Sequence, residues 1–535
     1  MSSSHRNGIQ WCKCSNPVYI YSYFEQSYKR YIKYTYMKKI ILALIAIVLI
    51  AVLPVLKLES IQDKYLPSED TERFELRAEA TEIFAKGLSY KTISQVPIMI
   101  DSAAFEGLFA HLQASYPTVY EKLQIDTVST HTLWMKLDGP SANAENMLFI
   151  SHLDVVPVDP KTIKDWEAEP FAGEIVDNYV YGRGALDDKA SAFGILEALE
   201  TLLSHDWNPS YNFYFCFGQD EEIGGRNGAG VAAAMCREKG ITFRTIFDEA
   251  GTISVGSVPG LENTPGTISV GSVPGLENTP VALIGVAEKG YISVEVGFEQ
   301  PGGHSSMPDK ENAILSASAF ITSLNEDPIF RPEFTEPLQG FMTHLAPEMS
   351  FGLKWAFGLR PLTNSLILSN YQGSSTGRAL TTNTAVATMV GAGIKDNVVP
   401  SSSRVVCNTR ILPGYSVDDI VNAYSQRAAE YGGTVKWYND YGAGPTATSS
   451  FEGEDFLTLG QSIRATFPEA LVSPYLTLGG TDSKNFDGLA KQTYRFLPIA
   501  LTPEDLPRIH GINERLHVDA YRDLCRFYLD LFQRI

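Results

Sequence analysis

Residues 146–154 read NMLFISHLD, and this stretch decides how the rest of the chain is interpreted. Its first part, Asn146–Ser151, is a short apolar run of the kind that forms a buried strand. The run is followed at once by His152 and Asp154, two side chains of the types that bind metal ions or orient their ligands. The stretch therefore predicts a buried strand with chemically active residues at its carboxyl end.

The segments that follow alternate between helix and strand patterns. Lys189–Leu203 carries apolar residues at helical spacing, whereas Tyr211–Phe217 and Thr242–Phe247 are short, apolar and strand-like. This alternation predicts an α/β fold in which a parallel or mixed sheet is covered by helices. In such sheets the functional residues lie at the C-terminal ends of the strands.

A different pattern begins near residue 289. The segments there predict the order strand, helix, strand, strand, helix, strand: Tyr291–Glu299, Glu311–Leu324, Thr384–Ile394, Arg404–Leu412, Ser416–Glu430 and Thr434–Tyr438. This order is typical of a small ferredoxin-like α+β domain. Residues 326–380, which are rich in Phe, Pro and Leu, interrupt it. After residue 450 helices and short strands return, so we expect the C-terminal segment to complete the first domain.

The chain of 535 residues is long enough to form two cores. We predict a basic N-terminal extension, a transmembrane helix, a linker, a catalytic domain in two parts and an inserted second domain. In chain order these segments are 1–39, 40–56, 57–81, 82–288 with 441–535, and 289–440.

The predicted anchor is Ile40–Leu56, an apolar run preceded by Lys38 and Lys39. Its length is near the lower limit for a membrane-spanning helix. A cleaved signal peptide and a buried core helix are the alternatives, but no small-residue cleavage site follows, which favours an uncleaved helix. The basic flank predicts a body on the non-cytoplasmic side, in a periplasm, a lumen or the extracellular space. We also hypothesise that Met37 is the true start, so that residues 1–36 are a mis-assigned extension.

The charge balance argues against one class of partner. The formal net charge is −19 although the first 39 residues are basic, so the body is strongly acidic. Nucleic-acid binding needs clustered Lys and Arg, and we therefore expect no nucleic-acid partner. Four of the six cysteines lie in apolar or helical stretches, which predicts buried thiols rather than a disulfide framework: Cys216, Cys236, Cys407 and Cys525.

One internal repeat is present. Gly251–Pro265 reads GTISVGSVPGLENTP, and Gly266–Pro280 repeats it without a change. A repeat architecture needs at least three units, so we interpret the pair as a tandem duplication or a sequence-assembly error. Only one copy can then follow the native path, and we expect the other to form a solvent-exposed loop.

Five polar segments stand out from apolar surroundings: His152-Leu153-Asp154, Gly182–Lys189, Asp220–Gly225, Asp248–Gly251 and His510–Glu514. Imidazole and carboxylate ligands suit zinc, and two neighbouring metal ions need a bridging carboxylate. Asp154 can orient the imidazole of His152. The adjacent Glu221 and Glu222 can divide the work, one binding metal and the other accepting a proton from water. Together the five segments predict a two-metal hydrolytic site.

In these segments the chain resembles the zinc aminoacylase and carboxypeptidase family, which includes glutamate carboxypeptidase, aminoacylase-1 and carnosinase. It is most similar there to carboxypeptidase S and to the N-fatty-acyl-amino-acid synthase/hydrolase. The resemblance runs from about residue 85 to the C-terminus. It implies a two-zinc exopeptidase-like sheet covered by helices, with residues 289–440 as an inserted lid and dimerisation domain, and a homodimer as the assembly.

The resemblance also implies a role for each metal-site residue. His152 and Glu222 are then terminal ligands of two different Zn²⁺ ions, Asp187 bridges the ions, Asp248 joins His152, and His510 joins Glu222. A cis peptide bond between Asp187 and the following residue belongs to the same pattern.

Three further assignments come from the resemblance. Glu221 is the implied general base, and Asp154 is the residue that orients His152. Some family members use the second acid of the fourth segment, so Glu249 is the alternative to Asp248 as a ligand.

The substrate contacts are implied in the same way. His304, in a Gly-rich turn, would reach the scissile carbonyl, often from the dimer partner. Without the resemblance, the same segment would be interpreted as a Gly-rich turn with a solvated histidine. Arg410 would bind the substrate's free carboxylate, with a surface ion pair as the alternative. Asn397, Gly480 and Thr481 complete the predicted substrate-binding set.

These expectations define the predicted activity. We expect a zinc metallohydrolase that cleaves a peptide or N-acyl amide bond next to a free C-terminal carboxylate, as carboxypeptidase S does. An N-acyl-amino-acid hydrolase, a deacetylase and a dipeptidase are the alternatives. A catalytically inactive, membrane-anchored binding protein is the candidate from another class, and metal-free purified protein would support it.

Overall fold

The computed structural model of this protein describes residues 17–69, 71–96, 99–141, 143–255, 276 and 279–535. The chain forms two compact units, Met1–Glu59 and Ser60–Ile535. The finer division of the second unit into catalytic and inserted parts remains a prediction.

The first unit contains one helix, α1, which runs from Pro17 to Leu56. The predicted transmembrane helix over 40–56 is not supported, because no helix in the described part of the chain is long and apolar enough to cross a membrane. The helix begins well before the predicted anchor, and its first half carries charged residues such as Lys29 and Arg30.

The second unit is built on a mixed sheet of ten strands: β3 Gln124–Val128, β4 Thr132–Leu137, β5 Asn146–His152, β8 Asn212–Gly218, β9 Phe243–Asp248, β10 Ile253–Ser254, β11 Val281–Glu288, β18 Leu471–Thr477, β19 Ala490–Arg495 and β20 Ala500–Leu501. The strand order is β20-β10-β11-β19-β9-β5-β8-β4-β3, and β18 pairs with β11. Strand β5 is parallel to both β8 and β9, and β9 is parallel to β19. The α/β fold with a mixed sheet is therefore confirmed.

Helices cover this sheet: α2 Ala80–Leu88, α3 Ser102–Ser115, α4 Pro117–Lys122, α5 Lys189–Ser204, α6 Ala229–Lys239, α13 Glu454–Thr466 and α14 Val518–Arg534. Every residue of α5 from Lys189 to Leu203 is buried. Phe149 on β5 stacks on Phe247 of β9 and meets the edge of Phe532 on α14, with ring centroids 5.0 Å apart in each pair. Burying such a side chain contributes about 1.5–3 kcal/mol, so this aromatic layer holds the central strands against the helices.

The inserted part forms a separate antiparallel sheet with helices: β12 Gly290–Glu299, α7 Ala313–Glu326, β14 Val386–Ala392, β16 Ser402–Ile411, α12 Val417–Ala429 and β17 Gly433–Ala443. This is the β-α-β-β-α-β order that the sequence predicts. The strand order is β14-β16-β12-β17, which leaves β14 at one edge. Val294 and Phe298 of β12 pack with Phe320 of α7 and Tyr424 of α12 in its own hydrophobic core. We call this part the lid.

Residues 326–380, which interrupt the lid, are helical. They form α8 Glu336–Leu345, α9 Phe351–Gly358, α10 Asn364–Tyr371 and α11 Ser375–Thr381. Helix α8 packs on the ten-stranded sheet, with the rings of Phe341 and Tyr475 6.0 Å apart. The insertion therefore contacts the sheet that carries the predicted active site.

The short strands are β1 Ser94–Gln95, β2 Met99–Ile100, β6 Glu174–Val176, β7 Tyr179–Tyr181, β13 Gly303–His304, β15 Val398–Val399 and β21 Arg515–His517. Strand β13 pairs with β15, so the His304 turn and the segment after Asn397 lie side by side on the lid.

The structure tests the prediction for the cysteines but not the prediction for the repeat. Cys216, Cys236, Cys407 and Cys525 are free and buried, which confirms the prediction of buried thiols. The prediction for the repeat concerns mainly 256–275 and 277–278, which lie outside the described residues.

Candidate metal centre and substrate site

The C-terminal ends of the central parallel strands bring the polar segments together. His152 ends β5 directly beside Gly218, which ends β8 and leads into Glu221 and Glu222. Asp248 ends β9, the neighbour of β5 on the other side. Because parallel strands end at the same edge of a sheet, residues far apart in sequence meet at this edge.

Four predicted ligands form a continuous chain of contacts. The Nε2 atom of His152 lies 2.9 Å from Oδ1 of Asp187. The Nε2 atom of His510 lies 3.1 Å from the other Asp187 oxygen, Oδ2, and 3.1 Å from Oε2 of Glu222. One atom from each of His152, Asp187 and Glu222 falls within 4.8 Å of the others. Asp187 thus stands between the two imidazoles, in the position that a bridging carboxylate would take.

The donor set fits metal ions. Oε1 of Glu222 is buried and has no hydrogen-bond partner among the described residues. Burial opposes a charged His152, yet the carboxylates of Asp154 and Asp187 outweigh it and raise the His152 pKa well above its ordinary value. The hydrogen bonds to Asp187 and Glu222 raise the pKa of His510 to about 10. The cluster therefore favours a bound cation, and zinc accepts imidazole and carboxylate ligands of this kind.

Asp154 connects the histidine to the glutamate pair. Its Oδ1 atom lies 3.4 Å from Nδ1 of His152. The same carboxylate accepts backbone N–H bonds from Glu221, at 3.1 Å, and from Glu222, at 3.2 Å. The hydroxyl of Ser94 donates a further bond to it. A single buried side chain thus positions one imidazole and two neighbouring glutamates.

The turn after these glutamates depends on glycine. Gly224 and Gly225 have φ values of 102° and 69°, a region that side chains disfavour. An added Cβ at Gly225 would also lie 1.8 Å from Oδ1 of Asp482. The turn therefore closes over Asp482, and this tight bend presents Glu221 and Glu222 at the end of β8.

Glu514 fixes the segment that carries Asp187. Its Oε1 atom accepts backbone N–H bonds from Gly184, Leu186 and Asp187 at 2.9–3.2 Å. Arg183 pairs with Glu514 and donates to the carbonyl oxygen of His510 at 3.1 Å. His510 itself has a φ of 60°, so these bonds hold a ligand in a backbone conformation that non-glycine residues seldom adopt. The predicted cis peptide between Asp187 and Asp188 is present.

Asp248 does not join the contact chain. Its two oxygens accept backbone N–H bonds from Ser483, at 2.7 Å, and from Glu249, at 2.9 Å. Burial raises the pKa of Glu249 well above its ordinary value, and the nearby Asp187 carboxylate adds to the shift. Backbone donors therefore engage both oxygens of Asp248, whereas the charge of Asp187 acts on the buried Glu249 carboxyl.

The predicted general base lies inside the site. Burial is the main cause that raises the pKa of Glu221 well above its ordinary value. A carboxyl group in such surroundings holds a proton more readily, which suits a group that must accept and later release one. Its backbone is fixed through Asp154.

Two predicted lid residues lie apart from the metal cluster. His304 is exposed, and its Nδ1 atom accepts hydrogen bonds from the backbone and hydroxyl of Ser306. Asn397 is also exposed, and its backbone carbonyl oxygen accepts the backbone N–H of Ser305 at 3.4 Å. The structure therefore brings His304 and Asn397 together, without contact to His152 or Glu222 in the same chain.

The remaining predicted substrate residues have distinct environments. The guanidinium of Arg410 lies over the ring of Tyr291, 5.0 Å from its centroid. Thr481 is buried, and its hydroxyl donates to Oε1 of Glu288. Gly480 is exposed beside the amine of Lys484, whose Nζ would lie 3.5 Å from a Cβ at that position. Gly480 is therefore open to a ligand, whereas Thr481 supports the loop.

Two residues near the site, Lys484 and Glu514, have no role in the sequence-based prediction. Burial opposes the charge on Lys484, but the carboxylates of Glu221, Asp482 and Glu288 outweigh it and raise the Lys484 pKa. A permanent cation thus stands near the predicted base. Its position directly after the Gly479–Ser483 segment was the available signal.

Comparison with known proteins identifies the family of the chain. The pattern of peptidase family M20/M25/M40 matches residues 148–534. The chain is 31% identical to the probable carboxypeptidase S-like 2 of Dictyostelium discoideum over 92% of both chains. It is 30% identical to the N-fatty-acyl-amino acid synthase/hydrolase PM20D1.1 of Danio rerio over 83% of this chain and 84% of the relative.

A solved structure shares the fold. The M20 family metallo-carboxypeptidase Sso-CP2 from Sulfolobus solfataricus superimposes with a TM-score of 0.61, at 18% identity, over 85% of this chain and 99% of that chain. The family match covers the metal cluster, the lid and the C-terminal segment that returns to the catalytic sheet. This chain is therefore a member of peptidase family M20/M25/M40.

Proposed function

We propose that this protein is a two-zinc hydrolase that cleaves a peptide or N-acyl amide bond next to a free carboxylate. The observation that carries the proposal is the position of Asp187, whose two oxygens meet His152 and His510 separately. A carboxylate shared in this way is what a pair of metal ions requires.

In this proposal His152, Asp187, Glu222 and His510 are metal ligands. Glu249 takes the fifth place in preference to Asp248, because both Asp248 oxygens already accept backbone hydrogen bonds. Asp248 then fixes the Gly-rich loop through Ser483.

The chemistry follows from the side chains. When bound, zinc ions supply a Lewis acid that polarises the scissile carbonyl and acidifies a water molecule. Glu221 accepts the proton of the attacking water and delivers it to the leaving nitrogen. Asp154 holds both Glu221 and Glu222 through their backbones, so the base keeps its place beside the ligands during the proton transfer.

Substrate orientation falls to the lid. Arg410 binds the free carboxylate of the substrate through its paired N–H groups. His304 donates a hydrogen bond to the developing oxyanion. Because His304 is exposed and lies apart from the cluster of its own chain, we assign this contact to a second copy of the chain.

N-acyl amino acids are the second candidate substrate class. Three large apolar side chains of the lid insertion, Phe351, Leu362 and Leu366, are exposed by 60%, 85% and 64%. Exposed apolar groups of this size can receive an acyl chain. A relative at 30% identity is named for N-fatty-acyl amino acids.

A substrate panel tests the proposal. Purified protein is assayed with C-terminal dipeptides, N-acyl amino acids and their carboxamides, before and after chelation and zinc return. We expect activity toward at least one substrate with a free carboxylate, its loss on chelation, and its recovery with zinc. Wild-type activity that persists after chelation, or in the Glu221→Gln variant, would refute the proposal.

We further propose a homodimer formed through the lid. Val386, Val390 and Ile394 are exposed by 54%, 68% and 95% on or next to the edge strand β14. An exposed apolar edge strand is suited to pairing with a second copy. Light scattering should give twice the chain mass, and Val390→Glu should shift it to the monomer; a wild-type monomer at assay concentration would contradict this.

We also propose that α1 holds the body at a membrane, on the non-cytoplasmic side. Its apolar second half is exposed, with Ile47 at 61% and Leu56 at 68%, and the basic Lys38 and Lys39 precede it. Fractionation should place the full chain with membranes after a carbonate wash and release a form lacking residues 1–57. Full-length protein found only in the washed supernatant would overturn this assignment.

A further inference from the structure

Four side chains form a continuous stack between the metal-site loop and the predicted carboxylate-binding residue. The guanidinium of Arg226 lies 3.9 Å from the ring centroid of Tyr441. The rings of Tyr441 and Tyr291 are 5.9 Å apart. The guanidinium of Arg410 lies 5.0 Å from the ring centroid of Tyr291. We call this arrangement of two arginines and two tyrosines the Arg–Tyr stack.

The stack lies where the chain passes between the catalytic sheet and the lid. Tyr291 is the second residue of β12, directly after the outgoing passage, and Tyr441 lies near the end of β17, directly before the return. Tyr291 pairs with Ala443 on one side and with Arg410 on the other. The two passages touch, since a Cβ at Gly290 would lie 2.6 Å from the Ala443 carbonyl oxygen.

The two ends of the stack have different functions. Arg226 belongs to the loop that follows Glu221 and Glu222, which carries the proposed base and a proposed ligand. Arg410 is the residue to which the proposed function assigns the substrate carboxylate. The stack thus connects the loop that carries the proposed base with the residue proposed to orient the substrate.

The segment that leads from the catalytic sheet into the lid is held by hydrogen bonds to both parts. On the catalytic side, Glu288 accepts hydrogen bonds from the backbone and hydroxyl of Thr481 in the Gly-rich loop. On the lid side, the buried amine of Lys289 donates to the carbonyl oxygens of Ala379, at 2.6 Å, and Thr382, at 2.8 Å. Because these hydrogen bonds hold both Glu288 and Lys289, the backbone that leads into Tyr291 is fixed, and the ring of Tyr291 can position Arg410.

The face of a tyrosine ring attracts a guanidinium electrostatically, and each such contact contributes most when it is shielded from water. Tyr291, Tyr441 and Arg410 are half-buried, whereas Arg226 is exposed. Rings are also rigid spacers with few rotamers, so a stack of two rings fixes the distance between its ends better than a flexible ion pair would.

We infer that Arg226, Tyr441 and Tyr291 are positioning residues that set the place of Arg410 relative to the Glu221–Glu222 loop, and so determine preference for substrates with a free carboxylate. This inference rests on the proposed role of Arg410. The stack contributes no group to the chemical step.

The test measures carboxylate preference directly. Inhibition constants of the best substrate of the panel and of its carboxamide are determined in competition with a chromogenic substrate. The measured ratio is the inhibition constant of the carboxamide divided by that of the free acid. Tyr441→Leu should lower this ratio about tenfold, by weakening binding of the free acid, and should leave zinc content and carboxamide binding unchanged. Tyr441→Phe keeps the ring and should retain the wild-type ratio. Arg226→Gln should lower it about threefold.

The Arg410→Gln variant separates the two claims. If it leaves the ratio at the wild-type value, the proposed role of Arg410 is wrong. If it abolishes the preference while Tyr441→Leu and Arg226→Gln retain it, Arg410 binds the carboxylate but the stack does not position it. The inference predicts a third outcome: Tyr441→Leu lowers the ratio in the wild-type background and has no further effect beside Arg410→Gln. An equal fall with Tyr441→Phe would also contradict a role for the stacked ring.

Discussion

The metal cluster and the lid are organised in opposite ways. In the cluster, His152 and Asp187 are held by further buried groups, and even Asp154 and Glu514, which do not join the contact chain, are fully enclosed. On the lid, His304 is exposed, and its contacts with described residues are to its own turn and the facing strand β15. The residues of the proposed metal cluster meet within a single chain, whereas the lid residue proposed to contact the scissile carbonyl is open to solvent.

The difference indicates a division of labour. Metal binding and proton transfer need ångström-level placement, which buried hydrogen bonds provide. Recognition of a substrate carbonyl and carboxylate needs an opening through which the substrate can enter. We therefore expect damage to the cluster to abolish the reaction, and damage to the lid to weaken it.

The largest effect should come from the base. Glu221→Gln removes the proton acceptor but leaves the ligands in place, so kcat should fall about 10²–10⁴-fold. Zinc measured by elemental analysis should remain at the wild-type level. A variant that keeps its turnover would exclude Glu221 as the base, and one that loses zinc would make it a ligand.

The next effect distinguishes two adjacent acids. Glu249→Gln should weaken binding of one metal ion about 100-fold or more, because a ligand is lost. Asp248→Asn is the matched control, and it should keep both ions within about tenfold of the wild-type affinity. Titration of apo-protein with zinc measures both variants. The reverse ranking would restore Asp248 as the ligand.

A mixing experiment tests whether the lid acts on a second chain. His304→Ala should lower kcat/KM about 100-fold with unchanged zinc content. When this variant is mixed with Glu221→Gln, mixed dimers combine an intact base with an intact His304 from the other chain. Random pairing should then restore roughly a quarter of wild-type activity. Activity that stays at the sum of the two variants would show that His304 acts only within its own chain.

The smallest effect concerns the metal-free protein. The carboxylates of Asp187 and Glu222 raise the pKa of His510 from 6.5 to about 10 in the folded state. Its contribution to stability is therefore complete below about pH 6.5 and is lost as the pH rises through about 10. Since the ring is 48% exposed, this contribution is about 1 kcal/mol or less. Urea unfolding of chelated wild-type and His510→Gln protein at pH 6 and pH 10.5 measures this contribution. A difference in the free energy of unfolding between the two proteins that is equal at both pH values would contradict the prediction.

The sequence predicted the parts of the site that depend on local pattern. His152, Glu221 and Glu222 follow apolar strand segments, so their place at the sheet edge could be read from the strands alone. The β-α-β-β-α-β order of the lid was predictable for the same reason. These features need only the periodicity of nearby residues.

Features that depend on partners distant in the sequence could not be predicted from local patterns. Asp248 and Glu249 are adjacent and chemically alike, and the backbone N–H that engages Asp248 belongs to Ser483, more than 200 residues away. Glu514 holds the Asp187 segment across a similar separation. For α1, the apolar run 40–56 marked the second half of the helix, but the charged first half gives no amphipathic or apolar signal that would predict its start at Pro17.

Zinc-edge anomalous diffraction from crystals of the purified enzyme would locate the metal ions relative to Asp187. We expect two peaks per chain on either side of the Asp187 carboxylate, one bound by His152 and the other by Glu222 and His510. A single peak, or two peaks without Asp187 between them, would contradict the proposed two-zinc centre.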